Sequence, residues 1–303
     1  MAEERPQTPV HSDRVAKTLR SRLSSGVATV IVLVVAILWT IPTFGLLVTS
    51  IRPPAQVANT GWWTFFEHPG FTLSNYNTVL FVSGFGSEGG LMPFLVNSLA
   101  ICIPATIFPL VIASMAAYCL AWIRFKGSDA IFFIIFGLQI VPLQMALVPL
   151  QRIFGSIPGV GGTYIPVWVA HTIFALPLAT FLLHNFIAQL PGEVMEAALV
   201  DGATHFKIFR SIVLPLAAPA LASFAIFQFL WVWNDLLVAL TFTGGSDEVA
   251  PVTQRLAQLS GGFGSHWEVT TAGAFVSIVV PLIVFFSLQR YFVRGLLAGS
   301  VKG

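Results

Sequence analysis

Apolar residues along this chain come in long unbroken runs. They show neither the alternation of a half-buried strand nor the one-sided stripe of a soluble helix. No charged side chain falls within 23–51, 89–123, 130–151 or 269–289. A further apolar stretch, Ile165 to Leu190, lies ahead of Glu193, and one from Ile212 to about Phe242 is interrupted only by Asp235. Lipid offers no partner to backbone N–H and C=O groups, and a helix needs roughly 20 mostly apolar residues to cross it. The pattern therefore predicts an all-α integral membrane chain with a tail over 1–24 and one membrane domain over 25–303. Six transmembrane helices are expected at about 25–50, 93–121, 130–150, 165–188, 212–242 and 269–289. The first run is far longer than the roughly 7–15 apolar residues of a secretory signal, and no A-x-A site closes it, so it reads as a retained helix.

Composition agrees with this pattern and narrows the function classes. Only 9% of residues are charged and 56% are hydrophobic, against about 25% charged in an ordinary soluble domain. A soluble enzyme, a nucleic-acid-binding module and a disordered chain are all excluded on those grounds. The formal net charge of +2 carries little meaning until the charges are located. With alternating sides, one side collects Arg5, Arg14, Lys17, Arg20 and Arg22, then Arg124 and Lys126, Lys207 and Arg210, and finally Arg290, Arg294 and Lys302. The other side has only Arg52, Arg152 and Arg255. Cytoplasmic connections are the ones rich in Lys and Arg, so both termini are expected in the cytoplasm of a multi-pass inner-membrane protein. The basicity is a topological signal and implies no nucleic-acid partner. Val15, Leu19 and Leu23 beside Arg14, Lys17 and Arg20 fit either a short helix on an anionic leaflet or an unstructured basic tail. In the longest external segment, 53–92, Trp62 and Trp63 read as interfacial anchors.

Catalytic and energy-coupling marks are missing. None of the four lysines follows a glycine, so no P-loop of the form G-x-x-x-x-G-K-[ST] occurs, and H-E-x-x-H, C-x-x-C and G-x-S-x-G are also absent. His171 and His184 stand thirteen residues apart, roughly 20 Å along a helix, too far to share a metal. His171 has no acidic neighbour in sequence and reads as a structural hydrogen-bonding group. Cys102 and Cys119 lie in one apolar run and, roughly 25 Å apart along a helix, cannot pair. A membrane-embedded enzyme would need a convergent polar cluster, and an ion-driven carrier a relay of buried ionisable groups. Asp235 alone does not make either.

The fourth connection, about Gln189 to Ser211, is longer than the two to eight residues that join most packed helices. It reads Q-L-P-G-E-V-M-E-A-A-L-V-D-G-A-T-H-F-K-I-F-R-S. Pro191 suits a first helical position, Glu193 and Glu196 suit the early turns, and Gly202 can take the left-handed closing conformation. Val194, Met195, Ala198 and Leu199 occupy one arc of a helix about nine residues long, which must dock on something to be stable. Ala197 and Ala198 leave little bulk, so another surface can approach the backbone. Thr204 can cap a second short segment carrying Phe206 and Phe209. Two occupants of that arc remain open: the chain's own membrane face, or a cytoplasmic partner.

The stretch E-A-A-L-V-D-G-A-T-H-F-K-I-F-R-S-I-V-L-P-L, residues 196–216, resembles the E-A-A…G…I-x-L-P signature of ABC importer permeases. It is most similar to the second permease of the carbohydrate-uptake branch, the maltose and alpha-glucoside type. Asn97-Ser98, A-A-Y-C-L-A-W-I-R-F-K-G at 116–127, W-N-D-L-L-V-A-L at 233–240 and the tail Q-R-Y-F-V-R-G-L-L-A-G-S-V-K-G at 289–303 extend the resemblance over nearly the whole chain. The resemblance implies a type I importer permease fold in which the fourth connection is a cytoplasmic coupling helix seated in a cleft of an ATPase subunit. Glu193, Glu196, Ala197, Ala198, Asp201, Gly202, Phe206, Leu214 and Pro215 would then form the docking region. Gly299, Ser300, Val301, Lys302 and Gly303 would reach the ATPase dimer interface. The resemblance also implies a second permease subunit, a dimeric ABC ATPase that holds ATP and Mg, an extracytoplasmic sugar-binding protein, and no cofactor or metal on this chain.

Asp235 follows Trp231, Trp233 and Asn234. If the fifth helix starts near Pro215 to Pro219, Asp235 lies roughly 24–30 Å along it and must face protein or a water-filled path. Trp231, Asn234 and Asp235 are candidate translocation-pathway residues, since sugars are held by aromatic faces and hydrogen-bonding groups. Interfacial tryptophans and helix-to-helix polar contacts are the structural alternative.

Overall fold

The computed structural model describes residues 26–82, 90–123, 125–262 and 266–300, with side chains excepted at 261–262 and 291–300. The basic tail, its Val15–Leu23 repeat, Arg124 and Val301, Lys302 and Gly303 lie outside the described residues. The helices are α1 (Val27–Ser50), α2 (Pro54–Asn59), α3 (Ser74–Phe81), α4 (Met92–Tyr118), α5 (Ser128–Gly137), α6 (Leu143–Gly155) and α7 (Ile165–Ile187). They continue as α8 (Gly192–Val200), α9 (His205–Ile208), α10 (Leu214–Leu216), α11 (Ala218–Trp233), α12 (Leu237–Thr243), α13 (Val252–Gly262) and α14 (Trp267–Ser300).

Among the described residues four helices are long and apolar enough to cross a bilayer, namely α1, α4 with its continuation to Ile123, α7 and α14 to Arg290. Two bent pairs make six if each counts as one span. In the third apolar run the chain turns by 98° between Ser128–Ile140 and Leu143–Gly155. Pro142 has no N–H to continue the helix, and it pushes Val141 into extended backbone at φ −71°, ψ 118°. A straight helix over 130–150 is therefore not what forms. In the fifth run, His205–Leu216 and Ala218–Trp233 meet at 73°; Pro219 cannot donate to the carbonyl of Pro215, and the ladder fails there.

The helices α4 and α7 form the centre. Ala105, Ala113 and Ala117 on the first and Ala170, Ala175 and Ala179 on the second are at most 1% exposed. Small residues let helix backbones approach, and in lipid close packing replaces the hydrophobic drive available in water. Two apolar clusters share this pair. One joins Phe94, Ile101, Val167, Trp233, Phe242 and Val269; the other joins Tyr118, Leu183, Met195, Ile208, Val213 and Phe224. The second cluster thus includes residues of the 189–211 connection. By contrast α1 keeps little of its surface inside the chain, leaving an apolar flank for lipid or another subunit.

The end of the bundle opposite α8 is ordered by buried polar groups. Arg52, 1% exposed, donates to the Gly61 carbonyl at 2.8 Å and to the hydroxyls of Thr60 and Thr64 at 2.6 and 3.1 Å. Asn75 ties the same turn by donating to the carbonyls of Ser50 and Arg52, both at 2.9 Å. Trp62 packs against α1 at Gly45, where a Cβ would stand 2.7 Å from the indole nitrogen. Trp62 is therefore part of the fold, whereas Trp63 remains exposed.

Asn97 clamps this end to the loop before α13. Its Nδ2 donates to the carbonyls of Glu248 and Ala250 at 3.0 Å, and its Oδ1 accepts from Tyr164 at 2.7 Å. Ser98 Oγ accepts from the Val252 N–H at 2.8 Å. Asn97→Ala would strand these buried partners and should cost about 2 kcal/mol. A lower thermal unfolding midpoint of the detergent-purified protein would register that loss; an unchanged midpoint would show the clamp to be dispensable.

Candidate functional site

The 189–211 connection is a built structure. Pro191 takes the cap position, one place earlier than the sequence suggested, and α8 runs nine residues from Gly192 to Val200. The Ala203 N–H bonds to the Ala198 carbonyl at 2.9 Å and the Gly202 N–H to the Leu199 carbonyl at 3.0 Å, with Gly202 at φ +76°. This is the double closure of a Schellman motif, which requires a left-handed residue where glycine carries no penalty. Thr204 caps α9, its Oγ1 accepting from the Lys207 N–H at 3.4 Å. The chain then passes through a π turn, Phe209–Val213, into Leu214 and Pro215.

The arc of Val194, Met195, Ala198 and Leu199 does not face one way. Met195 is 3% exposed and sits in the second cluster with Ala198 against it, while Val194 and Leu199 point outward. Glu193, Glu196, Ala197, Asp201 and Gly202 are exposed, and Val200 and Phe206 are 87% and 67% exposed. The outward surface combines carboxylates with bare apolar groups around the small residues Ala197 and Gly202. Isolated apolar residues on a surface are unremarkable, but a contiguous set rimmed by acids is the composition of a contact surface.

Residues that sequence reasoning did not single out hold this element in place. Trp122 Nε1 donates to the Ile187 carbonyl at 3.0 Å. Tyr118 Oη lies 3.0 Å from His205 Nδ1, and its ring centre is 5.5 Å from that of Phe209. Their signal was present in A-A-Y-C-L-A-W, where two aromatics with polar tips close an otherwise small and apolar segment.

The structure divides the three pathway candidates. Trp231 lines a cavity of about 470 Å³ at the bend of the third run, together with Gln139, Pro142, Phe174 and Pro177. Asn234 is exposed, and its amide donates to the Leu230 carbonyl at 2.7 Å. Asp235 lies at a break between two helices, not within one: α11 ends at Trp233, and the carboxylate accepts from the N–H groups of Ala239 at 3.0 Å and Val238 at 3.4 Å, capping α12. Its other neighbour is His171, with Nε2 3.6 Å from Oδ2. The acidic partner absent from the sequence around His171 is therefore supplied by the fold from 64 residues away. The Asp235 carbonyl also accepts from Thr253 Oγ1 at 2.7 Å. Asp235 thus reads as a joint between helices, and of the three only Trp231 lines this cavity.

Gly299 and Ser300 lie on the last turns of α14, and their side chains are outside the description. Among the described residues no three His, Cys, Asp or Glu side chains are placed to hold one metal ion.

Residues 109–297 match the family described as binding-protein-dependent transport system inner membrane component. The chain is 51% identical over 275 residues to the osmoprotective compounds uptake permease protein GgtD of Synechocystis, covering 89% of this chain and 90% of that one. It is 52% identical over 246 residues to the alpha-glucoside transport system permease protein AglG of Rhizobium meliloti, covering 80% of this chain and 63% of that relative. In fold it is similar to a chain of a bacterial ABC transporter that imports the acidic polysaccharide alginate, with TM-score 0.74 at 20% identity over 95% of this chain and 100% of the other.

Proposed function

Since the chain belongs to the family of binding-protein-dependent transport system inner membrane components, a permease and not an enzyme, we propose that it forms half of the translocation pathway of an ATP-driven sugar importer of the alpha-glucoside or oligosaccharide type. Its partners are a second permease, two copies of an ABC ATPase that hold ATP and Mg, and an extracytoplasmic sugar-binding protein. In this reading both termini and α8 face the cytoplasm, which the distribution of Lys and Arg supports.

One observation carries the coupling role. The nine-residue α8 is closed at its C-terminal end by its own backbone bonds, anchored by Met195 on one side and left with Val200 bare on the other, and Phe206 of α9 is likewise exposed. A helix this short gains stability only by docking, and among the described residues the outward half stays exposed. Seated in an ATPase cleft, it would move when the ATPase pair closes. ATP would then shift the permease between its two open states, because the contact differs in strength between them. GgtD and AglG, whose names specify uptake of osmoprotective compounds and alpha-glucoside transport, support the substrate class.

Cross-linking tests this reading. A cysteine at Ala197 in the assembled complex should link to the ATPase, with yield changing when ATP binds. Absence of any link to a nucleotide-binding subunit would overturn the docking role.

A further inference from the structure

Two helices pass through π turns near α8: Cys119–Ile123, directly after Tyr118, and Phe209–Val213, directly after α9. A π turn carries one extra residue and concentrates where helices must adjust at functional sites. Between these turns lies the contact of Tyr118, 5% exposed, with His205 at 3.0 Å and with the Phe209 ring at 5.5 Å. One helical turn further on, Trp122 holds the Ile187 carbonyl, where α7 ends and the 189–211 connection departs. The C-terminal end of α4 therefore grips that connection twice, at its exit from α7 and at its entry toward α11. Neither contact involves a residue of α8 itself, whose C-terminal closure uses its own backbone bonds.

We propose that Tyr118 and Trp122 are positioning residues of the transport cycle, a latch that makes α4 move with the coupling helix. Displacement of α8 then reaches the central α4–α7 pair directly, in addition to passing through the π turn at Phe209–Val213 into α11. The π turns supply the slack: each can pass its extra residue along the helix, so the gripped segments shift without losing backbone hydrogen bonds. The proposal rests on the reading that α8 docks on the ATPase.

The test uses the complete importer in lipid vesicles, with Cys102 and Cys119 replaced by serine. Spin labels go on cysteines at Met115 of α4, which is 49% exposed, and at Lys207 of α9, which is exposed. With Tyr118 and Trp122 intact, the distance between the labels should stay constant when ATP binds, because both positions travel together. In Tyr118→Ala the distance should change on ATP binding by about 2 Å, the size of an interfacial helix shift. Tyr118→Phe removes one oxygen and keeps the ring on Phe209, so it should change the distance in the same direction by less, even if the alanine variant fails to fold. A purely structural role would lower stability without creating an ATP-dependent change in that distance. A constant distance in Tyr118→Phe and in Trp122→Phe would overturn the latch. The Ala197→Cys cross-link, recorded in parallel, separates the two ideas: its presence with a constant distance sinks the latch alone, and its absence sinks the docking reading and the latch together.

Discussion

Gly202→Val should abolish sugar uptake, by 100-fold or more on the order expected when a coupling contact is lost, while the protein remains in the membrane at normal abundance. Gly202 holds φ +76° at the close of α8, where a β-branched residue is a conformational outlier costing on the order of 1–3 kcal/mol. Among the described residues, apart from its chain neighbours, no atom lies within 4 Å of the position a Cβ would take, so the fold itself has room. The damage comes from two other sources: opening of the Schellman closure, and bulk added where a partner surface is to approach. Asparagine tolerates the left-handed region, so Gly202→Asn adds bulk with little strain and should lose roughly tenfold, the equivalent of about 1.4 kcal/mol. Uptake measured in whole cells, with membrane abundance followed by immunoblot, checks both variants. Normal uptake by the valine variant would remove the docking role.

Asp235→Ala should destabilise the chain by about 3 kcal/mol, combining a lost helix cap with a buried histidine stripped of its partner. The carboxylate bonds two backbone N–H groups of α12 and faces His171, so its removal loosens the point where α11 stops and α12 begins. Asp235→Asn keeps one oxygen acceptor for the α12 N–H groups and should alter transport while the complex still assembles. Co-purification of the second permease and the ATPase with each variant, alongside an unfolding midpoint, distinguishes these outcomes. Failure of the asparagine variant to assemble would mean that the charge itself holds the joint.

The contrast between Gly202 and Asp235 shows what a sequence of this kind reveals. Gly202 was legible because its role is local: a helix end, a left-handed residue and a threonine cap fall within five consecutive positions. The apolar runs were legible for the same reason, since lipid imposes length and composition on each span separately. The helix break at Asp235 was not legible because the fifth run looks continuous by composition, whereas one helix ends at Trp233 and the next begins at Leu237. Pro142 carried a visible signal for the third bend, but not its size of 98°. His171 with Asp235, and Tyr118 with His205, are pairs made by tertiary packing across 64 and 87 positions, and no spacing rule reaches that far. Arg52 and Arg255, expected among the sparse charges of one side, are both buried. Arg255 lies with its guanidinium 5.6 Å from the centre of the Phe94 ring, so these charges organise the fold and do not coat its surface.

The central claim is that this chain is moved by another subunit's ATP hydrolysis. Vesicles should be prepared with the chain, its second permease and the ATPase, with ATP inside and the sugar-binding protein and an alpha-glucoside outside. They are predicted to accumulate the sugar, and to stop when the ATPase is left out. Accumulation by vesicles that hold this chain without any ATPase would contradict the account.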